Sequence, residues 1–116
     1  MPHVVLKGKA SIQNIFEKLE PLFVRDGTVI LKTGELYLER NKNAILIDSL
    51  AIESDKKSFL AMITGRENGV VVRLCPKQEI EKTDGVKRIL AEISKQLVRK
   101  FPDFKTAETN LGEYLI

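Results

Sequence analysis

The chain is short of the residues on which much small-protein chemistry depends. Its one cysteine, Cys75, cannot close an internal disulfide, and its one histidine, His3, cannot supply a Cys/His zinc cluster. An internal disulfide framework is therefore excluded, and no structural zinc, other metal or cofactor is expected. Tryptophan is absent, so packing falls mainly to aliphatic side chains. The longest stretch free of charge, Ser58 to Gly65, spans eight residues, against the roughly 20 that a membrane-spanning helix requires. The first residues, Met-Pro-His-Val-Val-Leu-Lys, have neither the basic region nor the long apolar run of a secretory signal. A cytoplasmic setting with no membrane partner is expected.

Catalytic signatures are equally scarce. Gly65-Arg66-Glu67-Asn68-Gly69 has neither the Lys-Ser/Thr ending of a phosphate loop nor a helix pattern after it, and reads as a hairpin turn. Cys75 has no base placed beside it, because His3 belongs to another strand. Glu35 and Glu39 share a strand face but lie roughly 13 Å apart at about 3.3 Å per residue, wider than the roughly 5 to 9.5 Å of a paired acid and base. Low-complexity runs and internal repeats are missing too.

What is present fits one folded domain over residues 1–116. The composition is 43% hydrophobic and 30% charged, and a chain of this length buries about two thirds of its unfolded surface. Abundant Lys, Glu and Ile beside few Gln and Cys lean toward a heat-adapted source. His3 to Gly8 is β-rich and reads as a first strand. Ser11 can cap a short helix whose apolar positions Ile12, Ile15, Phe16 and Leu19 recur at helical spacing, ended by Pro21. Between Thr28 and Cys75, polar turns at Thr33-Gly34, 41 to 43, Asp55-Lys56 and Asn68-Gly69 divide five strands into an antiparallel meander. From Thr83 or Asp84 a long helix runs to Phe101, with an apolar stripe of Val86, Ile89, Leu90, Ile93, Leu97 and Phe101 and Pro102 at its end.

The predicted architecture is α+β: a two-layer sandwich, β-α-β-β-β-β-β-α, with a largely antiparallel sheet of five to six strands and both helices on one face. The order of elements resembles the outline of helix-grip lipid-binding folds, in topology alone and with the meander one strand short. Residues 106–116 form a tail with Leu111, Tyr114, Leu115 and Ile116 that can dock on this domain or on a neighbour.

Turn lengths fix which side chains share a face, because a one-residue slip reverses a strand. They send Val29, Leu31, Leu36, Leu38, Leu46, Leu50, Ile52, Phe59, Ala61, Ile63, Val70, Val72 and Leu74 to a core face, with Asp48 as its one carboxylate. A buried Asp48 would need hydrogen-bond donors or would carry a raised pKa, and marks a candidate pocket between sheet and long helix. On the second face, Ile45, Ile47, Leu60, Met62 and Val71 form an apolar patch that the tail, a second copy of the chain or a small ligand could cover.

Charge is concentrated on the long helix. Residues 83 to 101 hold Lys87, Arg88, Lys95, Arg99 and Lys100 against Asp84 and Glu92, a net of +3, while the remaining 14 basic and 14 acidic residues balance. Arg88, Lys95 and Arg99 fall on the side opposite the apolar stripe. The leading expectation is a small, soluble, non-enzymatic binding or assembly domain, homodimeric through its second sheet face. One alternative is nucleic-acid association through the basic helix. The other is a ligand carrier or enzyme with a pocket near Asp48.

Overall fold

A computed structural model describes residues 1–116. The elements are β1 (His3–Lys7), α1 (Ile12–Lys18), β2 (Phe23–Asp26), β3 (Val29–Leu38), β4 (Ala44–Ile52), β5 (Lys56–Arg66), β6 (Gly69–Leu74), α2 (Asp84–Lys100) and β7 (Lys105–Thr109). All seven strands pair antiparallel in one sheet, in the order β2-β3-β4-β5-β6-β1-β7. The α+β class, the meander and both helices match the sequence pattern. No helix is long and apolar enough to cross a membrane.

The helices form where their caps and stripes place them. Ser11 accepts a hydrogen bond from the Asn14 N–H at the start of α1, and Thr83 does the same for Val86 at the start of α2. Glu53, at the end of β4, reinforces the second cap: it accepts from the Thr83 hydroxyl at 2.6 Å and from the Gly85 N–H at 3.0 Å. A carboxylate at that end also suits the helix dipole. Ile12 and Ile15 of α1 and Val86, Ile89, Leu90, Ile93 and Leu97 of α2 join one continuous core with Leu31, Ile45, Ile47, Phe59, Ile63, Val72 and Leu74. Both helices therefore cover the same face of the sheet.

Strand count and register depart from the sequence reading in instructive ways. Asp26-Gly27 opens a hairpin that pairs Asp26 with Val29, with Gly27 at φ +62, which adds β2 as an edge strand. Thr33-Gly34 is not a hairpin: β3 runs on to Leu38 and carries a bulge where Gly34 and Glu35 together oppose Asp48. Thr33 is held in the sheet by bonding Leu22 twice, through its N–H at 3.0 Å and its hydroxyl at 2.9 Å. The extra residue of the bulge returns Leu36 and Leu38 to the face of Leu31, the same result a hairpin would have produced.

Strand β4 is reversed relative to the expected faces. Leu38 pairs with Ile45 rather than Leu46, and Ile52 pairs with Lys56 rather than Phe59. These are slips of one and three residues, both odd, so they flip β4 and leave the strands on either side in place. Energetics favour this register. It buries Ile45, Ile47, Ser49 and Ala51 and turns Asp48 to water, whereas the other would put an ionised carboxylate under the helices. The expected placement of Ile45 and Ile47 on the second face, and of Asp48 in the core, is thereby corrected.

The segment after α2 folds onto its own chain. Phe104 is fully buried, β7 pairs with β1, and Leu111 enters the helix-side core. Tyr114 then donates a 2.6 Å hydrogen bond to Asp84 at the start of α2. That bond, with some burial and the charges of Asp84 and Glu113, pushes the Tyr114 phenol from 10.0 up to about 12. Because the folded-state pKa is raised, the stabilisation is complete below pH 10 and disappears as pH rises through about 12. Wild type should therefore lose more unfolding free energy than Tyr114→Phe across that window. Parallel stability curves for the two proteins in urea titrations would refute the assignment.

Candidate functional site

With α1, α2 and the C-terminal segment all packed on one side, the opposite face of the sheet carries no covering element. The observed registers fix what it displays. One row across four strands places Arg66, Gly69, Lys7 and Lys105 side by side. Another places Tyr37, Leu46, Met62, Arg73 and His3 in line. Near the β2 edge, Phe23, Lys32, Leu50 and Ser58 make a third, with Arg25 and Lys56 beyond it.

Leu60, Met62 and Val71 lie on this face, as the sequence suggests, but Leu46 and Leu50 stand where Ile45 and Ile47 were expected. The apolar centre is well packed: Met62 is 9% exposed and Val71 only 3%. Its support continues past the end of β6. There Gln78 uses its side-chain amide as a substitute strand, accepting from the Leu60 N–H at 3.0 Å and donating to the Leu60 carbonyl at 2.7 Å.

Electrostatics distinguish this surface from the rest of the molecule. It carries seven cations, Lys7, Arg25, Lys32, Lys56, Arg66, Arg73 and Lys105, against four carboxylates, Glu35, Glu39, Asp48 and Glu108. The net of +3 equals the formal charge of the whole chain, so the other twelve basic and twelve acidic residues balance. All four salt bridges lie elsewhere, and none of the seven cations takes part in one. Lys7 and Lys105 are paired directly across strands, an arrangement that like charge makes unfavourable. Two buried polar atoms in the middle of the face, Arg73 Nε and Thr64 Oγ1, have no hydrogen-bond partner.

The basic helix is less available than its composition suggests. Arg88 bridges to Asp26 at 3.5 Å, Lys95 to Glu92 at 3.3 Å, and Lys100 to Glu20. The Lys100 ammonium also holds the Glu20 carboxyl below its ordinary range. Of the five helix cations, only Lys87 and Arg99 have no ion pair, and Lys87 is half-buried.

Asp48 borders an open depression of about 420 Å³ beside the β3 bulge, shared with Lys32, Glu35, Lys56 and Ser58. It lies on the open face rather than between sheet and helix. Cys75 is half-buried, with its N–H bonded to the Leu60 carbonyl. His3 holds Nδ1 3.0 Å from the Met1 carbonyl oxygen. No three His, Cys, Asp or Glu side chains converge as metal ligands.

The sequence reading missed Phe23 and Arg25 because it missed β2, although Asp26-Gly27 is a hairpin signal. Lys7, Arg66 and Lys105 could be joined only by knowing that β1 inserts between β6 and β7. Comparison of the chain with protein-family models, with curated proteins and with solved structures finds no match.

Proposed function

We propose that this chain is a non-enzymatic nucleic-acid-binding domain whose working surface is the open face of the sheet. The observation that carries the reading is the set of seven cations without ion pairs on the one large surface that no helix covers. Phosphates contribute affinity through such groups by releasing counterions, with no need for a catalytic cleft. The same reading transfers the basic role from the long helix to the sheet, since three of the helix's five cations are already neutralised within the fold.

The half-buried Leu46, Leu50 and Leu60 favour a second reading, in which two copies of the chain meet through this face. The two are separated by fluorescence anisotropy with a labelled oligothymidylate, combined with light scattering at several protein concentrations. The expected result is a monomer whose affinity falls about 50-fold between roughly 50 and 200 mM salt if about four phosphates are contacted. The double substitution Lys7→Glu with Lys105→Glu should weaken binding at least about 10-fold. A dimer that dissociates on Leu60→Glu and binds no oligonucleotide would replace this reading with self-assembly.

A further inference from the structure

The chain has seven aromatic residues, and their distribution is uneven. Phe59, Phe101 and Phe104 are buried in the core, and Phe16 and Tyr114 pack against it. Tyr37 and Phe23 are instead 51% and 66% exposed, and register puts both on the open sheet face. With strands about 4.8 Å apart and about 3.3 Å per residue, they lie roughly 14 Å from each other. Phe23 lies beside Arg25 and Lys32, whereas Tyr37 has Glu35, Glu39 and Asp48 as its same-face neighbours. Exposed rings on a face of net positive charge are the two components of a base-stacking platform.

We propose that the nucleic acid taken by this face is single-stranded, with unpaired bases stacked on Tyr37 and Phe23 and the backbone crossing the sheet toward Lys7, Arg66 and Lys105. This inference rests on the reading of the open face as a nucleic-acid surface. A duplex hides its base faces within its own stack, so rings on a broad sheet can reach them only in an unpaired strand. Arg73 lies in the same row as Tyr37, three strands away, between the aromatic side and the cationic row. Its Nε and the neighbouring Thr64 Oγ1 are buried without a partner at the middle of that path, so a base edge or phosphate could satisfy them only after the side chains above them move aside.

The test compares a labelled oligothymidylate, a duplex of equal length and heparin as bare polyanion, all at one salt concentration. The single strand is expected to bind at least about 10-fold more tightly than the duplex. Tyr37→Ala with Phe23→Ala should lose about 10- to 100-fold for the single strand, while heparin retention stays unchanged. Because the chain lacks tryptophan, tyrosine emission gives an independent signal: oligothymidylate should quench it in wild type. In Tyr37→Phe the quench should vanish while most of the affinity remains. Equal binding of single strand and duplex, unaffected by the aromatic substitutions, would overturn the single-strand inference alone. If none of the three polyanions binds, the reading beneath it fails too.

Discussion

Replacing Gly69 by alanine is expected to destabilise the protein by about 4 kcal/mol, which is most of the stability of a domain at the low end of the usual range of about 5 to 15 kcal/mol. Two causes combine. Gly69 opens β6 at φ +155, a region that L side chains rarely adopt. Its Cβ would also stand 1.9 Å from the Leu6 carbonyl oxygen and 3.0 Å from Lys7 Cα. Both obstacles are backbone, so no side-chain rotamer relieves them, and β1 would have to withdraw from β6. That strand contributes Val4 and Leu6, both fully buried. Gly34→Ala is the matched control: nothing lies within 4 Å of its added carbon, and its effect should stay within about 0.5 kcal/mol. Urea denaturation of the two variants decides the matter, and a Gly69→Ala loss below about 1 kcal/mol would refute the account. The same glycine sits in the row between Arg66 and Lys7, so the tight strand approach also sets the spacing of the cations.

Local pattern carried much of the fold. Ser11, Thr83 and the apolar stripes of α1 and α2 mark helix starts and buried faces through short-range chemistry, and both helices form there. The core faces of β5 and β6 were also legible, since Phe59, Ala61, Ile63, Val70, Val72 and Leu74 are all buried. Strand β4 was not, because its two flanking loops contain several polar residues and no single turn type. The first of these loops runs over residues 40–43, closed by the Glu39 N–H bonding the Ala44 carbonyl, with Lys42 left-handed at φ +59. The correct register was still recoverable from one physical argument: the wrong one buries Asp48, and a lone carboxylate in an aliphatic core is expensive.

The candidate site was less legible because it is assembled by pairing at long range. Lys7 and Lys105 are nearly the full chain length apart in sequence yet adjacent in the sheet. Periodicity within a strand reports which face a side chain takes, but not which strands are neighbours. Likewise the charge excess of the C-terminal helix is plain in the sequence, whereas its partners Asp26 and Glu20 come from elements that only tertiary packing brings near. Formal charge on an element is therefore a poor guide to charge available for a partner.

Phe104→Ala is expected to cost about 3 to 5 kcal/mol, the range for removing a buried ring that its surroundings cannot fully refill. Phe104 is fully buried, and its ring meets Phe101 edge-to-face at 5.9 Å. Its backbone N–H closes the turn after α2 by bonding the Phe101 carbonyl at 2.9 Å. On its other side it rests against the Gly8 backbone, where an added Cβ would come within 2.9 Å of the ring, so the site is filled without slack. Lys105 follows at once, which makes this ring the anchor for β7 and for the segment reaching Tyr114. The variant should therefore show a lower urea midpoint together with loss of amide protection across Lys105–Thr109. Phe104→Leu, which keeps most of the volume, should cost less than about 1.5 kcal/mol. Full protection of β7 in Phe104→Ala would mean that pairing with β1 holds this edge without the anchor. Its loss would instead show that the cation at Lys105 is presented by core packing nearly a sheet's thickness away, coupling the stability of the helix-side core to the charge on the open face.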